Sequence, residues 1–386
     1  MMEPTVRFPE FKGSWNNYKI EDMFDRVGTP VDLDDTQAYR EIGIRSHGKG
    51  IFHKEETTAI EIGNKRVFWV EPDCFVVNIV FAWERAVAKT TEKENGMIAS
   101  HRFPMYKPKK DVVDLDYITE YFITKRGQNV LILASPGGAG RNKTLGQKEF
   151  AKSVVKLPSL PEQQKIAEFL STIDTVIEKQ KETVSAWEER KKGVMQKLFS
   201  QEVRFKADDG SDFPEWEEKK LGECCDILDS KRKPISKENR VLGKYAYYGS
   251  TNIQDYINEY LFDEPLVLLA EDAGPFDDFW NKAIAQFATG KFWVNNHAHV
   301  LRPHENRKYF FYSLEHRDIR VYINNPSRGK LNQEDMVKIP MYIPCLAEQQ
   351  KIADCLSSLD EVIEKRKATS SAWEELKKGL LQQMFV

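Results

Sequence analysis

At 386 residues the chain is long enough for two or more domains, each with its own hydrophobic core. Hydrophobic content of 41% and charged content of 30% suit a globular protein, and no apolar run approaches the roughly 18 residues of a membrane helix, so no membrane span is expected. The net charge of −3 lacks the basic excess usual in nucleic-acid binders, so any surface for DNA must be local or completed by a partner.

The N-terminal MMEPTVRFPEFKG has neither a basic start nor an apolar stretch, and no secretory signal is expected. Five scattered cysteines (Cys74, Cys224, Cys225, Cys345 and Cys355) without a Cys-x-x-Cys pair predict reduced thiols in a cytoplasmic protein. In the first third, RVFWVEP and CFVVNIVFAW read as short strands between polar turns, and residues 115–125 read as a helix. Polar and aromatic clusters fall on the connecting loops: Arg45, Ser46, His47 and Lys49, then Trp83, then Ser100, His101 and Arg102. Such side chains suit base edges and phosphates. The loop SPGGAGRNKT approaches a phosphate-cradling P-loop, but Asn142 stands where that loop needs glycine before Lys143 and Thr144. A surface loop that offers Arg141 and Lys143 to DNA phosphates is the simpler reading.

From Leu160 the sequence becomes helical. Pro161 and Glu162 mark a helix start. Ile166, Leu170, Ile173, Ile177, Gln180, Val184, Trp187, Lys191, Val194 and Leu198 step by four and three, as in a coiled-coil seam. The same 40-residue segment recurs 186 residues later with 26 identical positions, and Ile352, Leu356, Leu359, Ile363, Trp373 and Leu380 repeat the stripe. A second apolar edge (Phe169, Val176, Met195; Cys355, Val362, Leu381) widens the stripe beyond a two-helix seam. Gly193 and Gly379 recur inside the helices, where glycine costs about 1 kcal/mol relative to alanine. Close approach of a further chain, or a bend, accounts for both features. The stripe predicts two helices paired antiparallel, with two amphipathic helices each lying on its own domain as the alternative.

Between the helices, PLVLLA and KFWV read as strands and residues 309–322 as a helix. Loop clusters here are Tyr248, Ser250, Thr251 and Asn252, then Lys291, Trp293, Asn295, Asn296 and His297, then Arg328 and Lys330. His297, His299 and His304 have no carboxylate or cysteine close in sequence that would complete a site with them, so no metal site is expected. No nucleophile motif, nucleotide fingerprint or methyltransferase loop is visible. Val6-Arg7-Phe8 with Trp15 matches Val203-Arg204-Phe205 with Trp216, whereas the interiors do not align. The expected fold class is α/β: a mixed α/β head over residues 1–157, a long helix over 158–200, a second head over 201–343, and a second helix over 344–386. Identical rods with different heads imply one job done twice and two different things bound. The heads bind either DNA or, in a coiled-coil scaffold, two proteins.

The duplicated Glu-Gln-Gln-Lys-Ile-Ala at residues 162–167 and 348–353, the Trp-Glu-Glu segments that begin at Trp187 and Trp373, Phe213-Pro214-Glu215-Trp216, and residues 290–297 together resemble the specificity subunit of type I restriction–modification systems. That resemblance implies a non-enzymatic chain whose heads are target-recognition domains, each reading half of a split, asymmetric site in double-stranded DNA. It implies helices that fix the spacing and dock two methyltransferase (modification) subunits, with restriction/translocase subunits joining the full complex. S-adenosylmethionine, ATP and Mg are then expected only on those partners, and this chain needs no cofactor of its own.

Overall fold

The computed structural model describes residues 4–137, 143–324 and 329–385. The chain divides into two compact units, one of residues 1–181 with 368–386, the other of 182–367. The dividing points fall inside the two long helices, Leu160–Phe199 and Leu346–Met384. Each unit therefore holds a head, the first half of one helix and the second half of the other.

The heads, unalignable in sequence, share a strand order. In the first, a four-stranded antiparallel sheet runs Phe24–Val27, Met105–Pro108, Phe75–Val77, Val87–Lys89; in the second the order is Cys225–Ile227, Ala298–Pro303, Leu266–Ala270, Ala285–Ala288. A second sheet in each head contains one parallel pairing flanked by antiparallel ones. It runs Thr29–Pro30, Val67–Trp69, Ile98–Ser100, Ala38–Ile44, Ile51–Thr58 in the first head. It runs Phe262–Asp263, Lys291–Val294, Leu242–Tyr248, Ile253–Ile257 in the second. Two-stranded ribbons close each head at its junction with the long helix: Asn16–Lys19 against Val154–Leu157, and Glu217–Lys220 against Pro340–Ile343. The predicted strands at PLVLLA and KFWV form, as does the helix Leu115–Ile123. The predicted helix over 309–322 is shorter, ending at Glu315, with a separate turn at Arg320–Tyr322.

The repeated Glu-Gln-Gln motif fastens each helix to its head. Glu162, 1% exposed, takes a bidentate pair from Arg7 (Nε–Oε1 2.7 Å, Nη2–Oε2 2.8 Å). Glu348, fully buried, takes the same pair from Arg204 (3.1 and 2.8 Å) and a third bond from Trp216 Nε1 at 3.0 Å. Such charge-assisted forks are roughly twice as strong as neutral bonds. Gln163 accepts from the Asp114 amide and donates to the carbonyls of Val112 and Pro158, and Gln349 accepts from Asn306 and donates to Pro344. The matched Val-Arg-Phe and Trp positions thus belong to a socket built twice.

The helix stripe serves two surfaces. Ile166 and Leu170 lie in the core of the first head, and Ile352 and Leu356 in that of the second, with Leu359 and Val194 at its margin. Within each unit the helix halves run antiparallel: Asp174 pairs with Lys377 (2.8 Å) and Lys181 with Glu374 (2.5 Å) in one, Glu188 with Lys367 (3.0 Å) and Asp360 with Lys191 (2.8 Å) in the other. Ile173, Ile177 and Ile363 are buried, while Trp187, Trp373 and Leu380 are half-buried. The seam lysines are ionic hubs. Lys191, 7% exposed, bridges Asp360 and Glu315 of the head helix Arg307–Glu315, and Lys377 bridges Asp174 and Glu120 of Leu115–Ile123. Burial pushes the Glu120 carboxyl upward, against the pull of the Lys377 ammonium. Neither Gly193 nor Gly379 packs against backbone: a Cβ at Gly193 would meet nothing within 4 Å, and one at Gly379 only the Gln383 side chain at 3.9 Å.

Candidate nucleic-acid interface

In the first head the strands Ala38–Ile44 and Ile51–Thr58 form a hairpin whose tip carries Arg45, Ser46, His47 and Lys49. His47 adopts φ +64°, a conformation uncommon outside glycine, and its amide donates to the Glu84 carbonyl at 2.7 Å. Ser46 Oγ donates to the Glu84 carboxylate at 2.8 Å, and the Arg45 guanidinium lies 4.7 Å over the Phe52 ring. Trp83, half-buried, is on the same turn, its Nε1 donating to Val80. Arg102 and the Lys143 segment join the other end of that turn, since Ile79 donates to the Arg102 carbonyl and accepts from Leu145. Residues 78–85 are therefore the hub to which Ser46, His47 and the backbone of Arg102 and Leu145 are tied, with Trp83 on the turn itself. Ser100 caps the Arg102 amide. His101 is exposed beside a cleft it lines with Arg26 and Phe103. Arg141 lies outside the described residues.

In the second head, Ser250 Oγ donates to the Asp272 carbonyl at 2.7 Å, and His297 Nδ1 meets the Asp272 carboxylate at 2.7 Å. Lys330 Nζ lies 3.6 Å from Glu271. Gln286 donates to the Ser250 carbonyl, and Asn295 Nδ2 to Gln254. Ser250, His297 and Lys330 are thus gathered around the turn after Leu266–Ala270, with Thr251, Asn252 and Asn296 on adjoining loops; Asn252 and Asn296 are exposed. Two expected contact residues face inward instead. Trp293, on a strand paired on both edges, is 7% exposed with its Nε1 on the Lys233 carbonyl, and Asn295, just past that strand, is 2% exposed, so these side chains frame the surface. Tyr248 packs edge-on to Phe292 at 5.5 Å. Lys291 stands at the far end of its strand, over the Tyr260 ring and 3.8 Å from Asp263. Arg328 lies outside the described residues.

The carboxylates that organise these loops (Glu84, Glu271, Asp272) went unremarked in the sequence. Their signal is position: Glu271 and Asp272 directly follow a buried strand, where turn residues collect. His299 also gains acidic neighbours, since ligand atoms of Asp229, Glu271 and His299 lie within 4.8 Å of one another. Arg232 occupies that cluster, 2.5 Å from Glu271 and 3.3 Å from Asp229, and supplies the positive charge. Burial pushes the thiols of Cys74 and Cys225 up to about 11 and about 12, which suits packing and not reactivity.

The family model of the type I restriction modification DNA specificity domain matches residues 13–185 and again 214–370. The chain belongs to that family. The two matches fall on the two heads with the first part of their helices, as the internal repeat requires. A Haemophilus influenzae chain named as a type I restriction enzyme specificity subunit is 37% identical over 147 residues, 38% of this chain and 37% of that relative's length. The MjaVIII specificity subunit of Methanocaldococcus jannaschii is 23% identical over 356 residues, 83% of this chain and 80% of that one. The crystal structure of the type I S subunit from M. genitalium matches with a TM-score of 0.59 at 15% identity, covering 100% of this chain and 99% of that one, which shows the shared fold. Specificity subunits are the non-catalytic DNA-recognition components of type I systems; the catalytic activities lie in other subunits. Membership decides against the protein-scaffold reading of the heads. No described helix is long and apolar enough to cross a membrane.

Proposed function

We propose that each head reads one half of a split, asymmetric sequence in double-stranded DNA, residues 1–157 one half and 201–343 the other. The long helices (158–200 and 344–386) set the distance between the halves and dock two modification subunits, which restriction/translocase subunits join in the cytoplasm. S-adenosylmethionine, ATP and Mg serve those partners. The observation that carries this reading is the combination of one strand order and one helix socket, built twice, with different side chains on the loops. In the first head the reading side chains are Arg45, Ser46, His47, Lys49, Trp83, Ser100, His101, Arg102, Arg141 and Lys143. In the second they are Ser250, Thr251, Asn252, Asn296, His297, Arg328 and Lys330. The open space beside Gly193, and beside Gly379 the presence of only the flexible Gln383 side chain, favours partner docking along the helices, where a missing side chain lets another backbone approach.

The test is a head exchange. Replacing residues 1–157 with the matching head of another family member, in cells that carry the modification subunit, should change one half of the methylated sequence and leave the other. A change in both halves, or in neither, refutes the two-reader arrangement. DNA binding by the assembled complex should also weaken steeply with salt, as phosphate contacts demand.

A further inference from the structure

Two histidines of the second head, two residues apart, carry the same partner type and differ in what remains free. His299 is 1% exposed; its Nδ1 meets Asp229 at 2.5 Å and its Nε2 the Leu331 carbonyl at 2.9 Å, so both ring nitrogens are engaged. His297 holds Asp272 through Nδ1 at 2.7 Å, but its side chain is 38% exposed, and Nε2 has no hydrogen-bond partner among the described residues. The first ring ties the sheet to the 329–331 segment. The second presents one nitrogen to solvent, on the surface where Ser250 and Lys330 converge.

That nitrogen is held from several sides. The His297 amide donates to Asn295 Oδ1 at 2.8 Å, its carbonyl accepts from the Glu271 amide at 2.9 Å, and Asp272 accepts from Ser250 through its own carbonyl. A carboxylate oxygen only accepts, so Nδ1 carries the proton and Nε2 of the neutral ring is left as an acceptor.

We infer that His297 is a specificity-determining residue of the second head, accepting through Nε2 a hydrogen bond from the exocyclic amine of an adenine or cytosine, and that Asp272 is the residue that positions it. In the major groove adenine N6 and cytosine N4 are donors, whereas guanine O6 and thymine O4 are acceptors. A ring with its proton fixed on Nδ1 selects the first pair and repels the second. The assignment rests on the proposal that this head reads DNA, and it adds which bases one of its side chains accepts.

The test enriches duplexes from a randomised pool with the full chain, co-purified with its modification subunit. The wild type should enrich a split site. His297→Ala should lose discrimination of about tenfold at a single position of one half, a position the wild type fills with adenine or cytosine, while preferences at the other positions stay as in the wild type. Asp272→Asn can donate to Nδ1 and move the ring proton to Nε2, so preference at that position should shift toward guanine or thymine, and Asp272→Glu should restore it. His297→Gln serves if the alanine variant does not fold. Unchanged preferences in folded His297 or Asp272→Asn variants, or a wild-type preference for guanine or thymine at the affected position, overturn the assignment. A wild-type complex that enriches no split site overturns the DNA-reading function itself, and this role with it.

Discussion

Replacing Lys191 with alanine should open the second unit far more readily than the matching change at Lys377 opens the first. Lys191 Nζ lies 2.8 and 3.0 Å from the two Glu315 oxygens and 2.8 Å from Asp360, and 5.1 Å over the Tyr312 ring. Its side chain is 9% exposed and that of Glu315 12%, so the alanine variant leaves a carboxylate buried with no countercharge. Removing one partner of a buried pair costs about 3–5 kcal/mol, which is a hundredfold or more in the opening equilibrium. At Lys377 the side chain is 17% exposed, Asp174 is 48% exposed and Glu120 18%; solvent reaches Asp174, and the Glu120 carboxyl, already pushed upward by burial, can take up a proton, so about 1–3 kcal/mol is expected. Native-state hydrogen exchange reads the units separately: in the Lys191→Ala variant, amides of residues 307–315 and 346–363 should lose protection while the first head keeps it. A loss below about 1 kcal/mol for Lys191→Ala, or a larger loss for Lys377→Ala, would refute the view that burial of the carboxylates sets the cost.

Further expectations follow from other parts of the molecule. Because burial raises the folded-state value of Glu120, its contribution to stability is present below the ordinary glutamate value and lost as pH rises through the raised one. Glu120→Gln should therefore flatten the pH dependence of the first unit's denaturation midpoint on the acid side; an unchanged profile refutes the shift. A Cβ at Gly127 would lie 2.2 Å from the Tyr121 carbonyl oxygen and 2.5 Å from the Phe122 Cα, so Gly127→Ala should cost about 1–3 kcal/mol or more in chemical denaturation. Gly193→Ala meets open space and should stabilise the isolated chain by up to about 1 kcal/mol, yet weaken co-purification with the modification subunit. Unimpaired assembly counts against docking at that face. One heptad inserted at matched places in both helices adds about 10 Å, and the unread gap in the methylated sequence should lengthen by roughly three base pairs.

The helices were legible because a repeat of 26 identities in 40 needs no geometry to see, and the Glu-Gln-Gln motif stood out before its role as a socket was known. The role of the seam lysines cannot be read from periodicity because their partners are remote: Glu315 is 124 residues from Lys191. The stripe was read as one surface, yet its first turns pack into head cores, and periodicity cannot distinguish these fates. The common strand order escaped notice because sheet pairing is non-local; Phe75–Val77 lies between strands that begin at Val87 and Met105. Loop clusters were found by residue type alone. That criterion groups the half-exposed His297 and Ser250 with Trp293 and Asn295, near neighbours of His297 in sequence that are buried.

The division of each compact unit between the start of one helix and the end of the other has a genetic consequence. Residue 182 follows 181 just as residue 368 would, because the repeat offset of 186 separates them. Unequal crossing-over between the repeated segments of the gene would delete one head and leave an in-frame, half-length product with one intact helix. That product could not satisfy Asp174 with Lys377 inside a single chain, since both would now lie on the same straight helix. It would have to find a second copy, and would then bear two identical heads. Such a deletion product should run as a dimer in sedimentation, and its site should become a palindrome; a folded monomer would show that the paired helix halves are dispensable.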